Sequence, residues 1–316
     1  MQFVKPKIIV ICGPTASGKS DAAISLAKKI DGEIISADSR QVYKRLNLGS
    51  GKVLKDKSSS ISNNQFPITK HNEIYFSEGV IHHLIDVANP EEDFNVSHFK
   101  KAAEEAVEKI IKKNKVPIIC GGTGFWISSF VDNVVMPEVK PNEKLRSELG
   151  KKSNQELFEI LAKQDPKRAK NIDNQNPVRL IRAIEIATTL GKVPQKINSE
   201  QKYDFLQIGI DVPREILNEK IKKRLDDRFT QGMLLEVENL LEDGVSPRWL
   251  ERIGLEYRWL ARYKQNKISF EEMKQKLYFD IIHYAKRQMT WFGKDQRIIW
   301  TNDKTKILEL VRNFLK

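Results

Sequence analysis

Eight consecutive residues, Gly13, Pro14, Thr15, Ala16, Ser17, Gly18, Lys19 and Ser20, have the types and spacing of a phosphate loop. The glycines let backbone N–H groups close around phosphate oxygens, Lys19 adds a charge and the Ser20 hydroxyl can hold Mg²⁺. The pattern does not say which phosphate compound is held. A carboxylate follows at Asp38, in Asp38-Ser39-Arg40-Gln41, where it can act as a general base, bind a metal ion or simply cap the next segment. Thr123, in Gly121-Gly122-Thr123-Gly124, offers a hydroxyl, although the glycines could also serve a tight turn alone. Arg179 and Arg182, three apart on a helix, could clamp a phosphate or lie on a solvated face. His71, His82, His83 and His98 lack the spacing of a zinc site, so structural or hydrogen-bonding roles are expected for them.

The elements that must position these residues read as an α/β fold. Ile8 to Ile11 is an apolar, β-branched run in front of the loop, and Asp21 to Ile30 has helical periodicity before Asp31-Gly32 stops it. Glu33 to Ala37 and Val116 to Cys120 are further buried strands, whose carboxyl ends would aim Asp38 and Thr123 at the phosphate loop. Ser97 is the expected cap of an amphipathic helix running through Ile111, and Lys55 to Asn72, rich in Ser, Asn and Lys, is expected to be a surface loop.

From Met136-Pro137 to Lys202 strand-like runs give way to polar helical segments broken at Pro141, Gly150, Pro166, Pro177 and Gly191. Strand character resumes at Phe205 to Val212. A single long helix is then expected from Pro213 through Leu240, ended by Gly244, with Lys220, Lys222, Lys223, Arg224 and Arg228 on its basic face. Another begins at the capping pattern Ser269 to Glu272, and Ile298 to Trp300 is a last strand. The expectation is therefore a parallel sheet like that of P-loop NTPases, flanked by helices and carrying a helical insertion: residues 1–136 begin the core, 137–202 form the insertion, and 203–316 complete the core with basic helices.

With 316 residues the chain can bury a substantial core, and a net charge of +12 points to a polyanionic partner. No run is long and apolar enough for a transmembrane span, and no signal peptide is expected. The two cysteines, Cys12 and Cys120, end apolar strands as thiols in a reducing cytoplasm would.

Taken together, these segments resemble the tRNA dimethylallyltransferases. The resemblance rests on Gly13 to Ser20, Ser36-Ala37-Asp38-Ser39-Arg40-Gln41-Val42-Tyr43, His82-His83-Leu84-Ile85-Asp86, Gly121 to Gly124, Asn176-Pro177-Val178-Arg179-Leu180 and Ala285-Lys286-Arg287-Gln288, in the family's order. It implies transfer of a dimethylallyl group from dimethylallyl diphosphate to N6 of adenosine 37, beside the anticodon of tRNAs reading codons that begin with U. The phosphate loop would then hold the diphosphate, with Mg²⁺ at Ser20. Asp38 would take the amine proton or orient the amine, Thr123 would hydrogen-bond the bridging oxygen, and Arg146 would act in the active site. Asp38, Ser39, Arg40 and Gln41, and Val178, Arg179, Leu180, Ile181 and Arg182, would contact the anticodon stem-loop, with the target base flipped out.

The chain departs from the family at Ile253-Gly254-Leu255-Glu256-Tyr257-Arg258, where Ile-Gly-Tyr-Lys is usual, and at Gly293, where an arginine is usual. Lacking the zinc-finger extension of eukaryotic members, it resembles the bacterial type, expected as a cytoplasmic monomer. A kinase would share the phosphate loop, an adenylate isopentenyltransferase would share the donor, and an RNA-binding module would need only the basic surface.

Overall fold

The computed structural model describes residues 5–57, 74–194 and 200–316. His71, and residues 58–72 of the Ser- and Asn-rich stretch, lie outside them.

Seven strands, β1 (Lys7–Cys12), β2 (Gly32–Ala37), β3 (Tyr75–Ser77), β4 (Val80–His83), β5 (Val116–Gly121), β6 (Asp204–Gly209) and β7 (Ile298–Trp300), form one sheet in the order β3-β4-β2-β5-β1-β6-β7. Every pairing is parallel except β3 with β4. Strand β1, inside the sheet, aligns Ile11 with Cys120 of β5 and Ile208 of β6. Such a strand is covered on both faces, which is why it is an unbroken apolar run rather than an alternating one.

The described helices are α1 (Lys19–Ile30), α2 (Val96–Lys112), α3 (Gly124–Val131), α4 (Glu143–Leu149), α5 (Asn154–Gln164), α6 (Pro166–Ala169), α7 (Pro177–Leu190), α8 (Arg214–Thr230), α9 (Met233–Glu242), α10 (Pro247–Ile253), α11 (Leu255–Lys264), α12 (Phe270–Phe292) and α13 (Lys304–Leu315). Ile9 and Ile11 pack with Ala23, Ile24 and Ala27 of α1 and with Ile307 and Val311 of α13. Ile8, Val10 and Cys12 belong to the larger core on the other face, with Phe99, Val107, Trp126, Leu225 and Ile281.

Two expectations are corrected in detail. The helix anticipated from Pro213 through Leu240 is two helices, because Gly232 takes φ +97°, a left-handed conformation that ends α8 and starts α9 at low steric cost. Helix α2 is capped by Asn95 and not by Ser97: the Asn95 side chain accepts from the Ser97 and His98 N–H groups, and the His98 ring accepts the Asn95 N–H in return. The Asn95 amide oxygen, two residues earlier, is the one placed to reach the orphan donors of the first turn.

The chain divides into two units, residues 1–131 with 201–316, and residues 132–200. The smaller is helical and has its own core of Leu149, Leu157, Leu161, Ala169, Leu180, Ala183 and Ile184.

Candidate active site

The phosphate loop leaves β1 and enters α1 with its glycines in conformations other residues avoid. Gly13 has φ +146° and Gly18, the N-cap of α1, φ +89°. Inside the turn the Ser17 N–H donates to the Pro14 carbonyl at 3.3 Å, but the Ser17 hydroxyl, in a residue only 4% exposed, has no hydrogen-bond partner among the described residues. An orphaned hydroxyl in such a loop calls for an acceptor from a ligand. Lys19 Nζ donates to the Pro14 carbonyl at 3.2 Å, and burial lowers its pKa.

Two residues from distant helices fix this loop. Gln288 of α12 accepts the Thr15 N–H at 2.8 Å and donates to the Gly122 carbonyl at 2.8 Å, tying the phosphate loop to the turn after β5. Arg224 of α8 donates to the Thr15 hydroxyl, and burial, then Arg228 beside it, brings its pKa down to about 10. Arg224 was not singled out as a site residue in the sequence. A signal was there, since Arg224 and Arg228 fall on the apolar stripe Leu217, Ile221 and Leu225, whereas Lys220, Lys222 and Lys223 are exposed.

Asp38 and Thr123 meet at the carboxyl ends of β2 and β5. Thr123 Oγ1 accepts the Ser39 N–H at 3.1 Å, and the Thr123 N–H donates to the Ala37 carbonyl at 3.2 Å. Asp38 Oδ1 accepts the Arg40 and Gln41 N–H groups at 2.9 and 3.3 Å, so the capping role is real. Its Oδ2 takes no hydrogen bond among the described residues and remains open to a substrate proton. The glycines around Thr123 serve close approach: a Cβ at Gly121 would lie 2.2 Å from the Ala37 carbonyl oxygen, and one at Gly122 2.3 Å from Gln288 Nε2.

Behind Asp38 a polar network holds the backbone. Glu236 of α9 accepts the N–H groups of Asn47, Leu48 and Gly49 at 2.9, 2.7 and 3.1 Å and the Tyr257 hydroxyl at 2.9 Å. Gln41 links the turn back to the sheet, donating to the Gly51 carbonyl at 3.1 Å and accepting from Ser36 at 3.0 Å. Arg40 Nε donates to the Ile253 carbonyl at 3.2 Å. The departing segment 253–258 is thus turned inward: Leu255, Glu256 and Tyr257 are all buried, and Glu256 pairs with buried Arg228 at 3.3 Å.

The histidines are engaged differently. His83 Nε2 lies 2.7 Å from Glu33, which also takes Lys113 at 3.0 Å. His82 is buried with Nε2 unpartnered among the described residues, and burial lowers its pKa to about 4.

In the helical unit, Arg146 donates from Nε and Nη2 to the two oxygens of Glu185 at 2.9 and 3.0 Å. Arg182 pairs with the same carboxylate and donates to the Val139 carbonyl at 2.9 Å. Burial alone would raise the pKa of Glu185, but the hydrogen bonds from Arg146, the Asn142 N–H and Arg182 outweigh it and hold the carboxyl below its ordinary value. Of the other residues expected at the RNA, Leu180 is fully buried in this unit's core, Ile181 is partly buried, Val178 is 75% exposed, and Arg179 is exposed beside Asp173 at 3.3 Å.

Residues 41–295 match the family described as IPP transferase. A tRNA dimethylallyltransferase of Finegoldia magna is 39% identical over 311 residues, 95% of this chain and 92% of that relative. One of Bacteroides fragilis is 38% identical over 98% of this chain and 96% of its own length. Among solved structures, the tRNA delta(2)-isopentenylpyrophosphate transferase of Staphylococcus epidermidis aligns with a TM-score of 0.67 at 33% identity, covering 98% of this chain and 99% of that one.

Proposed function

The chain belongs to the IPP transferase family, and we infer that it transfers a dimethylallyl group from dimethylallyl diphosphate to N6 of adenosine 37 in tRNAs reading codons that begin with U, releasing diphosphate. The observation that carries the assignment of roles is the open chemistry at one end of the sheet. Among the described residues, the orphaned Ser17 hydroxyl and two cations that donate only to neutral oxygens adjoin a carboxylate whose Oδ2 is uncommitted.

In this reading Gly13 to Ser20 wrap the diphosphate, with Lys19 and Arg224 balancing its charge. The N6 amine attacks C1 of the donor, the C1–O bond breaks, and its electron pair stays on the bridging oxygen. Thr123, whose Oγ1 already accepts a hydrogen bond, has its own O–H left to give that oxygen. The amine proton passes to Asp38 Oδ2.

A magnesium ion fits what is present. No group of three or more His, Cys, Asp or Glu side chains suited to a metal occurs among the described residues, so a resident all-protein site is not offered. The Ser20 hydroxyl, at the start of α1 beside the phosphate loop, is the kind of single oxygen that Mg²⁺ completes with phosphate oxygens and water. When bound, it would neutralise charge on the departing diphosphate.

The finer reading is a monomer acting in the cytoplasm, supported by two buried free thiols; among the described residues no helix is long and apolar enough to cross a membrane. The test is incubation with Mg²⁺, radiolabelled dimethylallyl diphosphate and either an unmodified anticodon stem-loop carrying A36-A37-A38 or AMP. Label in the stem-loop alone is expected. Label in AMP would move the acceptor to a free nucleotide, and label in neither would return attention to ATP.

A further inference from the structure

Large aromatic side chains on a surface are ordinary when scattered, but two in contact beside a candidate active site are not. Trp291 on α12 is 42% exposed and Phe125 on α3 is 49% exposed, and their rings meet edge to face with centroids 6.2 Å apart. Neither is a floppy surface group. Trp291 Nε1 donates to Ser128 Oγ at 3.0 Å, and Ser128 Oγ donates onward to the Gly124 carbonyl at 2.7 Å. The indole rests on Gly124, where a Cβ would come within 2.3 Å of its Cδ1, so a side chain there would displace the ring.

The position of the pair in the fold is specific. Gly124 follows Thr123 directly, and Trp291 stands three residues after Gln288, the residue bridging Thr15 and Gly122. The aromatic surface is therefore built onto the turn that carries the candidate catalytic hydroxyl. The same helix and its end present Lys286, Arg287 and Lys294, all exposed, as cations for a phosphate backbone. The other tryptophans of the helices do not share this setting: Trp126 and Trp249 are 5% and 4% exposed, and Trp259 lies partly buried with its Nε1 on Asp280 at 2.8 Å.

A rigid aromatic face flanked by cations matches an unstacked nucleobase on a bent single strand. We propose that Trp291 and Phe125 form a stacking platform for one base of the anticodon loop adjoining the prenylated adenosine, holding the loop open while the target base occupies the catalytic pocket. The proposal rests on the tRNA-prenylation reading. It adds a contact that reads base planes and not base edges, so it tolerates different bases while requiring that the strand be single.

The experiment uses the full chain and an anticodon stem-loop with 2-aminopurine placed, in turn, at each nucleotide flanking the target. Stacking on indole should quench the probe at one of these positions when wild-type protein binds. Trp291→Leu should abolish that quench and raise the Michaelis constant for the stem-loop about tenfold, within what losing one base–aromatic stack costs, while that for dimethylallyl diphosphate stays unchanged. Trp291→Phe should keep most of both. Phe125→Ala removes a half-exposed ring without opening the core and should act in the same direction more weakly, which keeps the test decisive if Trp291→Leu folds poorly. Unchanged quenching and an unchanged stem-loop constant in both variants would overturn the platform. Wild-type protein that binds the stem-loop but never labels it would sink the prenylation reading, and the quench would still decide the platform.

Discussion

Two sets of buried or half-buried cations in this molecule look alike in sequence and differ in what they face. In the helical unit, Arg146 and Arg182 converge on Glu185, a carboxylate only 1% exposed, and their charge is consumed inside the fold. Around the phosphate loop, Lys19 and Arg224 make no salt bridge among the described residues; they donate to a carbonyl and a hydroxyl, and burial lowers the pKa of both. A cation held away from water against neutral oxygens costs the free protein stability, and an incoming anion offsets that cost. The partner carboxylate, and not the arginine or its spacing, separates a strut from a ligand.

The strongest way to break this contrast is Lys19→Ala. If its charge is kept for the diphosphate, turnover should fall about a thousandfold, of the order seen when one group stabilising a transition-state anion is lost. Thermal stability should hold or rise slightly. A single-turnover assay with saturating donor and stem-loop measures the first, and a rate within tenfold of wild type would place the ammonium outside the reaction. Arg224→Met sharpens the point, because it keeps the packing of α8 and removes only charge: the donor should bind more weakly while the melting temperature of the free protein rises.

Glu185→Ala tests the opposite half. It leaves two guanidinium groups facing each other without their carboxylate, which should destabilise the helical unit by about 3 kcal/mol, the usual cost of breaking a buried pair from one side. Hydrogen exchange at α7 would report it, and protection equal to wild type would show the triad to be decorative. The same pair gives a pH dependence. Because Glu185 titrates below its ordinary value near 4.5 when folded, its contribution is fully present above that value and disappears as pH falls through the lower folded one. Acid should therefore loosen α7, with the change setting in below about pH 4.5 in wild type and absent from the variant.

The same physics explains how far the sequence could be read. The phosphate loop was legible because its chemistry restricts it: glycine at φ +89° before α1, lysine and a hydroxyl at fixed offsets, and apolar β1 in front. Asp38 and Thr123 were legible as a pair because parallel strands β2 and β5 deliver their carboxyl ends to one edge, in a register that aligns Ala37 with Gly121. Arg224 escaped because the groups that give it meaning, Thr15 and the Glu256 that pairs with neighbouring Arg228, arrive from other segments of the chain. Arg179 and Arg182 had the spacing of phosphate ligands, yet Glu185 takes up Arg182 together with Arg146, which lies 39 residues from that carboxylate in sequence. Local pattern reveals what a backbone must do; it does not reveal which distant group will be waiting.

Arg179 is the smallest and most discriminating case, since it lies between the two behaviours. It is on the same helix as Arg182 but exposed, and its ion-pair partner among the described residues, Asp173, lies at the surface at 3.3 Å with both side chains about half in water. Such a pair contributes little to folding and is easily exchanged for a phosphate. Arg179→Ala should leave the melting temperature within a degree or so of wild type, weaken tRNA binding only a fewfold at low salt, and reduce the slope of log affinity against log salt by about one. An unchanged slope would mean that Asp173 holds Arg179 as firmly as Glu185 holds its neighbour, and the exposed member of the helix would then belong with the struts.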